Sequence, residues 1–571
     1  MKNNLSNDLS PYLQQHKNNP VHWQTWNEQT LQLAKKEKKP ILLSVGYASC
    51  HWCHVMAHES FEDDETAKIM NKYFINIKVD REERPDIDFV FQSSYQLFNN
   101  SGGGWPLTMF LDENAVPFMG GTYFPKKEQH GLPSFKSVLN KIGEVYPIER
   151  KKITEQRNLI IKSLELKKNA VQKQDLEPFL ESIIINLDPI KGGYKGSPKF
   201  PTFNVFESLL YFFQKTKKKN YLAPVEIILQ KLCSQGIYDH VDGGISRYTV
   251  DENWLIPHFE KMLYDNAQFV SILSKFSKLK NEEYYKDKII QTINCFNENY
   301  INSKNGLIGS AYDADSDGVE GKFHTFLFTE LNEIKGIEKY FDVGPEGNWE
   351  GKIILREKKI PPVEIVQKLK SIRNKKNKPF FDDKTQLDLN CLWISSLIHA
   401  HSVLPKKNYL FQAEELYKKI ELKFMRKKLF HSSIEGTAFL EDYAYTINAL
   451  NDLGESTLNS KYKFKAKELC DEVIEDFYLK EKSIFQKNRK SSNDLFFNPI
   501  DISDHTIPNG NSIMLINLIK LGYEKESEEL AKSLNAYLNI YKSYMTSALR
   551  ALDFFNEKSN GKNCNDQGCE I

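Results

Sequence analysis

Two cysteines at C-x-x-C spacing, Cys50 and Cys53, carry the clearest chemistry in this sequence. They follow an apolar, strand-like run that begins at Ile41, at a point where a strand should end and a helix should begin. A thiol at a helix N-terminus meets unpaired backbone N–H groups that favour its thiolate form. A second thiol one helical turn later can displace a mixed disulfide. The spacing therefore predicts reversible dithiol–disulfide chemistry, with Cys50 as nucleophile and Cys53 as resolving thiol.

Three kinds of site are compatible with this Cys-His-Trp-Cys-His sequence. In the redox interpretation, protonated His51 stabilises the Cys50 thiolate. A c-type haem site would use both cysteines and His54, but haem attachment normally goes with export. A zinc site could use Cys50, Cys53 and both histidines, but such sites usually show a second ligand pair at matching spacing. We therefore favour the redox interpretation and expect no cofactor.

The sequence that follows predicts further strands and a special proline. Residues 53–73 have a helical pattern, and residues 75–80 and 107–111 have the pattern of strands. A last, antiparallel strand is expected within residues 116–125. Trp105 and Pro106 come after a run of glycines and at the head of a strand, which predicts a cis peptide bond. In a thioredoxin-like fold this bond would lie against the dithiol, so both residues are expected to shape a docking groove for an extended substrate.

The composition indicates a folded chain with no attraction to nucleic acid or membranes. Among 571 residues, 77 lysines and arginines balance 76 aspartates and glutamates. No apolar run approaches the roughly 20 residues of a membrane helix. The first 16 residues are polar and do not resemble a signal peptide. The eight cysteines are scattered, which does not suggest a disulfide framework. We therefore expect a cytoplasmic protein.

The character of the sequence changes after residue 145. Charged residues dominate residues 149–177, which predicts a solvated helix or linker. Beyond it, about a dozen helix-length segments with apolar residues at three- and four-residue steps recur as pairs. One of them covers residues 258–279. Paired helices with alternating short and long connections favour an α/α toroid of hairpins.

Dense motifs along the chain match a known family. They include NPVHW at 19–23, GYASCHWCHVM at 46–56, KVDREERPDID at 78–88, GGWPLTMFLD at 103–112, GSPKFPTF at 196–203, GGISRYTVDENWLIPHFEKMLYDNAQ at 243–268, SAYDADSDGVEGKF at 310–323 and PNGNS at 508–512. With these motifs the sequence resembles the spermatogenesis-associated, thioredoxin-domain family. The resemblance implies a thioredoxin-like domain followed by a helical barrel similar to the sugar-epimerase and six-hairpin glycosidase folds.

These patterns predict a multidomain chain with an α/β part and an all-α part. We expect a thioredoxin-like domain with an N-terminal extension at 1–145, a charged helical linker at 146–176, an (α/α)6 toroid at 177–557 and a C-terminal tail at 558–571. The tail contains Cys564 and Cys569, which could form a labile disulfide or belong to a frayed end.

Polar clusters in the barrel region suggest a second site. On a helix over 258–279, His258 and Asp265 would share one face and Glu260 a neighbouring one. The candidate catalytic residues of the barrel are His258, Glu260, Asp265 and Glu441, and the candidate binding residues are Arg247, Tyr248, Trp254, Asp313, Asp315, Glu320, Asp442, Asn509 and Asn511. Such a cluster could bind a sugar and move protons. It could equally be a buried hydrogen-bond network that closes the inner helices.

Two acidic segments have their own alternatives. Asp313, Asp315 and Asp317 fit the opening of a calcium loop, but His324 stands where the bidentate glutamate is expected, so an acidic barrel loop is favoured. Glu441 and Asp442 could be paired acids that face a ligand, as in glycoside hydrolysis. They could equally be first-turn carboxylates that complement a helix dipole.

Three functional hypotheses follow. The first is dithiol–disulfide exchange with a protein substrate at Cys50 and Cys53. The second is isomerisation or hydrolysis of a small sugar in the barrel. The third is that neither site turns over and the barrel is a binding scaffold, because a fold alone does not fix a function. The sequence leaves the oligomeric state and the direction of electron flow open.

Overall fold

The computed structural model describes residues 1–129, 131–166, 175–434 and 436–559, so Cys564 and Cys569 lie outside the described residues. The chain divides into two compact units. One is formed by Met1–Lys167 with Gln486–Ile500, and the other by Lys168–Phe485 with Asp501–Ile571. The first unit therefore extends beyond residue 145 and includes a segment that is distant in the sequence.

The first unit contains a four-stranded sheet of the thioredoxin-like type. Its strands are β1 (Ile41–Gly46), β2 (Ile75–Asp80), β3 (Leu107–Leu111) and β4 (Pro117–Gly121). The order in the sheet is β2-β1-β3-β4, with β1 parallel to β2 and β3 antiparallel to both β1 and β4. Every residue of β1 and β2 is buried, as expected for strands covered on both faces. The strands predicted from the sequence are confirmed.

Helices cover this sheet. They are α1 (Pro11–Gln15), α2 (Glu28–Glu37), α3 (His51–Met56), α4 (Asp64–Tyr73), α5 (Pro85–Asn99), α6 (Phe135–Glu155) and α7 (Arg157–Leu164). A π-helical turn at Ala57–Phe61 joins α3 to α4, and such turns are frequent near functional sites. Leu495 and Phe496, from the segment distant in sequence, pack on the apolar cluster that contains Phe91 of α5.

The second unit is almost entirely helical. Its helices are α8 (Glu177–Asn186), α9 (Phe203–Thr216), α10 (Lys219–Ser234), α11 (Leu263–Lys280), α12 (Glu283–Asn299), α13 (Phe328–Leu331), α14 (Val363–Arg373), α15 (Leu387–Val403), α16 (Tyr409–Phe424), α17 (Leu440–Thr457), α18 (Ser460–Phe477), α19 (Gly510–Leu521), α20 (Glu524–Tyr541) and α21 (Thr546–Ser559). None of the described helices of the chain is both long and apolar enough to cross a membrane.

Within the described part of this unit, six helices form a closed inner ring. In ring order they are α9, α11, α15, α17, α19 and α21, and α21 packs against α9 again. The outer helices α10, α12, α16, α18 and α20 each pack on the inner helix that precedes them. This is the predicted (α/α)6 toroid. Because an outer helix runs back after each inner one, the inner helices all begin at one end of the ring, which we call the N-terminal mouth.

The connections between these helices contain short strands. They are β5 (Tyr248–Thr249), β6 (Pro257–His258), β7 (Lys261–Met262), β8 (Ala311–Tyr312), β9 (Asp315–Ser316), β10 (Val319–Glu320), β11 (Phe381–Asp382), β12 (Tyr478–Leu479) and β13 (Ile484–Phe485). β5 pairs with β6, β7 and β11 both pair with β8, and β9 pairs with β10.

The prediction of a helix over 258–279 is wrong for its first residues. Residues 257–262 form β6 and β7, and α11 begins at Leu263. Pairing with β5 and β8 therefore overrides the helical periodicity of this segment. His258 and Asp265 do not share a helix face. The side chains of His258 and Glu260 meet instead across the two-residue step between β6 and β7, with His258 Nε2 3.0 Å from Glu260 Oε1.

Candidate functional site

The two predicted redox cysteines lie at the start of α3, just after the loop that connects it to β1. Cys50 caps the N-terminus of α3, and a disulfide joins it to Cys53, with the Cα atoms 5.2 Å apart. The backbone N–H of Cys53 points at Cys50 Sγ, 3.3 Å away. An N–H in this position stabilises a thiolate on Cys50 after reduction. In this oxidised state neither sulfur offers a thiolate ligand to zinc.

Neighbouring side chains cover the disulfide. Cys50 is 2% exposed and Cys53 is 1% exposed, whereas Trp52 between them is 49% exposed. The rings of His51 and Tyr123 lie against the Trp52 ring, with centroids 5.7 and 5.4 Å away. A partner thiolate therefore reaches Cys50 only when the surrounding side chains shift, and Trp52 is the exposed apolar surface beside it.

The last residue of β1 must be glycine. A Cβ on Gly46 would collide with the hydroxyl of Tyr12 and would lie 2.7 Å from Cys53 Sγ. Both atoms thus lie close to the point that a Cβ on Gly46 would occupy. Tyr12 belongs to α1 in the N-terminal extension, so the extension contributes a polar group directly to the dithiol. Sequence reasoning did not identify this residue, because nothing local links α1 to Cys53.

The ring of Tyr12 also packs against a buried lysine. Lys78 Nζ lies 4.9 Å from the centre of the Tyr12 ring, 5.1 Å from that of Trp23 and 4.4 Å from that of Phe61. It donates a hydrogen bond to Ser44 Oγ at 2.9 Å. Burial lowers the pKa of Lys78 well below its ordinary value and raises the pKa of Tyr12 well above its own. The Tyr12 hydroxyl is therefore a neutral hydrogen-bond donor at physiological pH.

The Trp105–Pro106 peptide bond is cis, as the sequence predicted. The indole Nε1–H of Trp105 donates to Asp88 Oδ1 at 2.8 Å, and the Arg81 guanidinium lies 4.1 Å from the centre of the Trp105 ring. Tyr47, in the loop that precedes α3, contacts the same ring at a centroid distance of 5.9 Å. These contacts hold Trp105 beside the loop that carries the dithiol.

In the toroid, His258 lies between two carboxylates in the connection that leads to α11. Its Nδ1 is 2.7 Å from Glu320 Oε1, and its Nε2 is 3.0 Å from Glu260 Oε1. Burial lowers the pKa of His258, but the two glutamates outweigh burial and raise it to about 10. Arg247 donates to Glu260 at 3.2 Å, and the ring of Tyr248 packs on the imidazole. At neutral pH the imidazole is therefore cationic, so it can donate hydrogen bonds but cannot accept a proton.

Asp265 lies in the first turn of α11 and is buried. Burial raises the pKa of its carboxyl group well above the ordinary value; Arg247 acts in the opposite direction and Glu260 in the same one. Asp265 Oδ2 has no hydrogen-bond partner among the described residues. Burial therefore favours the protonated form of this carboxyl group.

A second buried group contains Asp388, His431 and Asp442, whose ligand atoms lie within 4.8 Å of one another. His431 Nδ1 is 3.0 and 2.9 Å from the two carboxylate oxygens of Asp442. Burial and the neighbouring Asp442 raise the pKa of Asp388 to about 7. The three side chains could hold a divalent cation. Asp442 also accepts the backbone N–H of Phe439 at 2.8 Å, so it caps α17, and Glu441 beside it is likewise a first-turn carboxylate.

Three of the other predicted binding residues make internal contacts. Trp254 Nε1–H donates to the carbonyl of Lys191 at 2.8 Å. Asn509 caps α19, because its Oδ1 accepts the backbone N–H groups of Asn511 at 2.9 Å and of the next residue at 3.3 Å. The Asn511 side chain binds both backbone groups of Phe485 at 3.0 Å. These contacts account for the buried asparagines without a ligand.

The acidic segment that resembles a calcium loop forms a hairpin. Asp313 Oδ1 accepts the backbone N–H of Asp315 at 3.1 Å. Asp317 and Gly318 have φ values of 52° and 71° and connect β9 to β10. Two central residues with positive φ are typical of a type I′ hairpin turn, which favours the Asp-Gly sequence. The spacing of the carboxylates is therefore explained by the turn.

A cavity of about 690 Å³, counted with its opening to solvent, is lined by all six inner helices. Glu207 accepts from Lys275 Nζ at 2.6 Å and from Arg550 Nη1 at 2.9 Å in its wall. Gln268 Oε1 and Arg550 Nε in this wall have no hydrogen-bond partner among the described residues. We call it the axial cavity. None of the residues predicted from the sequence lines it.

A polar stripe in the sequence could have revealed the axial cavity. The polar lining residues of α11 are Gln268, Ser271 and Lys275, and those of α17 are Tyr445, Asn448 and Asp452. In both helices they recur after three and four residues, so they lie on one face of the helix. Polar groups on the inward face of a ring of helices indicate a solvated or ligand-binding interior.

Comparison with known proteins gives relatives along most of the chain. A family model described as Thioredox_DsbH, "Protein of unknown function, DUF255", matches residues 2–165. An uncharacterized protein of Caenorhabditis elegans is 32% identical over 94% of this chain and 82% of its own length. Spermatogenesis-associated protein 20 of Homo sapiens is 28% identical over 91% of this chain and 76% of its own length.

Solved structures with similarity to this chain include two sugar-converting enzymes. Cellobiose 2-epimerase from Bacillus thermoamylovorans has 12% identity and a TM-score of 0.44, covering 72% of this chain and 100% of the enzyme. A D-mannose isomerase has the same identity and a TM-score of 0.44, covering 67% of this chain and 97% of the enzyme. The toroid is shown by the pairing of inner and outer helices in this chain itself.

Proposed function

Because the chain belongs to the spermatogenesis-associated, thioredoxin-domain family, we propose that its thioredoxin-like unit catalyses thiol–disulfide exchange through Cys50 and Cys53. The observation that carries the proposal is the disulfide between these residues at the turn from β1 to α3. Trp105 supports it, because its indole ring packs against Tyr47 in the loop that leads to Cys50.

The exchange proceeds in two balanced steps. A thiolate of a partner dithiol attacks Cys50 Sγ, the bond to Cys53 breaks, and Cys53 leaves as a thiolate. The second thiolate of the partner then attacks the partner sulfur that is bonded to Cys50. The mixed disulfide breaks and Cys50 is released as a thiolate. In total, two electrons and two protons pass from the partner's thiols to Cys50 and Cys53. The partner becomes a disulfide. The reverse sequence reduces a partner disulfide.

The contacts of the dithiol support the assignment of the two roles. The Cys53 N–H points at Cys50 Sγ, which favours a thiolate on Cys50 and makes it the better attacking and accepting sulfur. Cys53 Sγ lies 2.7 Å from the point that a Cβ on Gly46 would occupy, inside the protein next to the Tyr12 hydroxyl. It is therefore placed to resolve the mixed disulfide from within the protein.

Redox titration with a thiol-alkylating mass tag tests this proposal. The background should carry Cys564→Ser and Cys569→Ser, so that the two C-terminal cysteines do not contribute to the titration. Across a glutathione series, two thiols should become protected together in one transition, and Cys50→Ser or Cys53→Ser should abolish it. Cys233→Ser, which removes a buried free cysteine, is the matched control and should leave the transition unchanged. Thiols that never pair at any potential would show the proposal to be wrong.

The axial cavity favours a second candidate function, binding of a small polyhydroxylated ligand such as a sugar. The supporting observation is the pair of unpartnered groups in its wall, an acceptor on Gln268 and a donor on Arg550. Buried polar atoms of this kind are normally satisfied by a ligand or by water. Alternating donors and acceptors suit hydroxyl groups, which both donate and accept. The cationic state of His258 supports binding rather than base catalysis at that residue.

A thermal-shift screen against a sugar library tests this second candidate, because a bound ligand raises apparent stability. At least one sugar should raise the Tm of the wild type, and Gln268→Leu should remove the shift. Gln367→Leu makes the same change at an exposed position of α14 and should preserve it. Absence of a shift with every sugar would contradict the candidate and favour a scaffold role for the toroid.

A further inference from the structure

The hydroxyl of Tyr12 is a buried polar group without a partner beside the dithiol. Tyr12 is 0% exposed, and its Oη makes no hydrogen bond with the described residues. Like Cys53 Sγ, it lies close to the point that a Cβ on Gly46 would occupy. An unsatisfied buried hydroxyl destabilises the fold. In the oxidised protein the Tyr12 hydroxyl is therefore a donor without an acceptor. Reduction frees the Cys53 sulfur, which can serve as that acceptor.

We propose that Tyr12 is a positioning residue of the dithiol, and that in the reduced protein its hydroxyl donates a hydrogen bond to Cys53 Sγ. The inference rests on the proposed thiol–disulfide exchange. A sulfur in a disulfide is a weak acceptor, whereas the Cys53 sulfur carries a full charge and accepts strongly when it leaves Cys50 as a thiolate. The hydrogen bond forms once the opened disulfide frees the Cys53 side chain to turn toward the hydroxyl, and it transfers no proton.

The charged groups around Tyr12 are engaged in other ways. Lys78 Nζ lies over the face of the ring, 4.9 Å from its centre, rather than at the hydroxyl. Asp80 is held by Ser10 Oγ at 2.6 Å. The ring of His16 packs edge-on at a centroid distance of 5.1 Å, and burial keeps its pKa well below the ordinary value, so it is neutral. Cys53 Sγ is thus the acceptor that the local geometry offers to the hydroxyl.

The expected consequence is a shift of the redox equilibrium. The hydrogen bond stabilises only the reduced form, so it shifts the equilibrium between disulfide and dithiol toward the dithiol. In Tyr12→Phe the oxidised form loses nothing, because the hydroxyl has no partner there. The reduced form loses its hydrogen bond to the freed Cys53 sulfur. The variant should therefore be harder to reduce than the wild type.

The equilibrium constant with glutathione measures this shift in the full chain carrying Cys564→Ser and Cys569→Ser. Tyr12→Phe should lower the constant for reduction about tenfold, equivalent to about 30 mV. Tyr146→Phe is the matched control in the same unit: it removes a hydroxyl that is hydrogen-bonded to Glu113, away from the dithiol, and should leave the constant unchanged. In a Cys50→Ser background, Tyr12→Phe should also raise the pKa of Cys53, read from the pH dependence of alkylation.

Thermal unfolding separates this role from simple packing. Tyr12→Phe should lower the Tm of the reduced protein and leave the Tm of the oxidised protein unchanged or higher. An equal loss of Tm in the oxidised and reduced states would overturn this inference. So would a glutathione equilibrium constant that Tyr12→Phe leaves unchanged while the wild type forms its Cys50–Cys53 couple. Neither result would affect the proposed exchange. Absence of any Cys50–Cys53 couple in the wild type would overturn the proposed exchange and this inference with it.

Discussion

The carboxylate of Asp88 holds the indole of Trp105, with Asp88 Oδ1 2.8 Å from the Trp105 Nε1 atom. Its other oxygen accepts a hydrogen bond from Arg81 Nε at 3.1 Å, and the Arg81 guanidinium covers the indole face. One carboxylate thus fixes both the edge and, through Arg81, the face of the ring that precedes cis Pro106. The docking groove expected at Trp105 and Pro106 therefore depends on this carboxylate.

Replacement of Asp88 by asparagine should separate docking from disulfide formation. Asp88→Asn keeps the shape but removes the charge, and hydrogen bonds to a charged acceptor are roughly twice as strong as neutral ones. We expect slower exchange with a peptide disulfide and a loss of about 1–2 kcal/mol in the free energy of unfolding. The Cys50–Cys53 disulfide should still form. Stopped-flow exchange kinetics and denaturant titration measure the two effects.

An exposed acid provides the control for this substitution. Asp64→Asn lies in the first turn of α4 and should change neither the exchange rate nor the redox titration. Exchange kinetics of Asp88→Asn identical to those of the wild type would mean that the orientation of Trp105 does not matter for docking.

The ion pairs of His258 should make the stability of the toroid depend on pH. Glu260 and Glu320 raise the pKa of the folded imidazole to about 10 against an ordinary value of 6.5. The folded protein therefore binds this proton more tightly than the unfolded chain, and the contribution is full below pH 6.5 and is lost as the pH rises toward 10. His258→Gln should cost about 3 kcal/mol at pH 6.

Denaturant titrations at several pH values measure this linkage. The stability difference between wild type and His258→Gln should shrink steadily from pH 6 to above pH 9. His58→Gln, at a largely exposed histidine of the other unit, should show no comparable trend. A difference that stays constant over this range would mean that His258 is not held as a cation by the two glutamates.

The dithiol and its scaffold could be predicted because their signals are local. An apolar strand followed by Cys50 and Cys53, and a glycine run followed by Trp105 and Pro106, each specify a turn through nearby residues alone. The pairing of inner and outer helices was similarly visible in apolar spacing. In each case the residues that define the feature are neighbours in the chain.

The parts that sequence reasoning missed depend on contacts between distant segments. Tyr12 lies next to Cys53 at Gly46, and the 486–500 segment packs in the first unit through Phe496. The segment at His258 has a helical period, yet it pairs with β5 and β8 as short strands. The axial cavity needs six helices to close before its lining exists. No local pattern contains this information.

Asn509 provides a test of a structural role against a ligand-binding role. Its side chain caps α19 by accepting the N–H groups of Asn511 and Ser512. Asn509→Ala should cost about 1 kcal/mol in the free energy of unfolding, the usual loss for an N-cap, and Asn509→Asp should retain most of the stability because aspartate caps equally well. Denaturant titration measures both. If instead both variants keep full stability and lose sugar binding equally, then Asn509 contacts a ligand.

Glu207 in the axial cavity should dominate the acid sensitivity of the toroid. Burial raises the pKa of its carboxyl group, but Arg550 and Lys275 outweigh burial and lower it to about 2, against an ordinary value of 4.5. The ion pairs therefore stabilise the fold fully above pH 4.5, and their contribution is lost as the pH falls toward 2. At pH 7, Glu207→Gln leaves two buried cations without their carboxylate, which should cost about 3–5 kcal/mol.

The same variant should converge with the wild type in acid, because glutamine resembles the protonated glutamate. Denaturant titrations at pH 7 and at successively lower values measure this convergence. Glu226→Gln, which breaks an exposed ion pair with Lys280, is the control and should cost less than about 1 kcal/mol at every pH. A stability deficit of Glu207→Gln that persists unchanged into the acid range would mean that its volume, rather than its charge, holds Lys275 and Arg550 in the wall of the cavity.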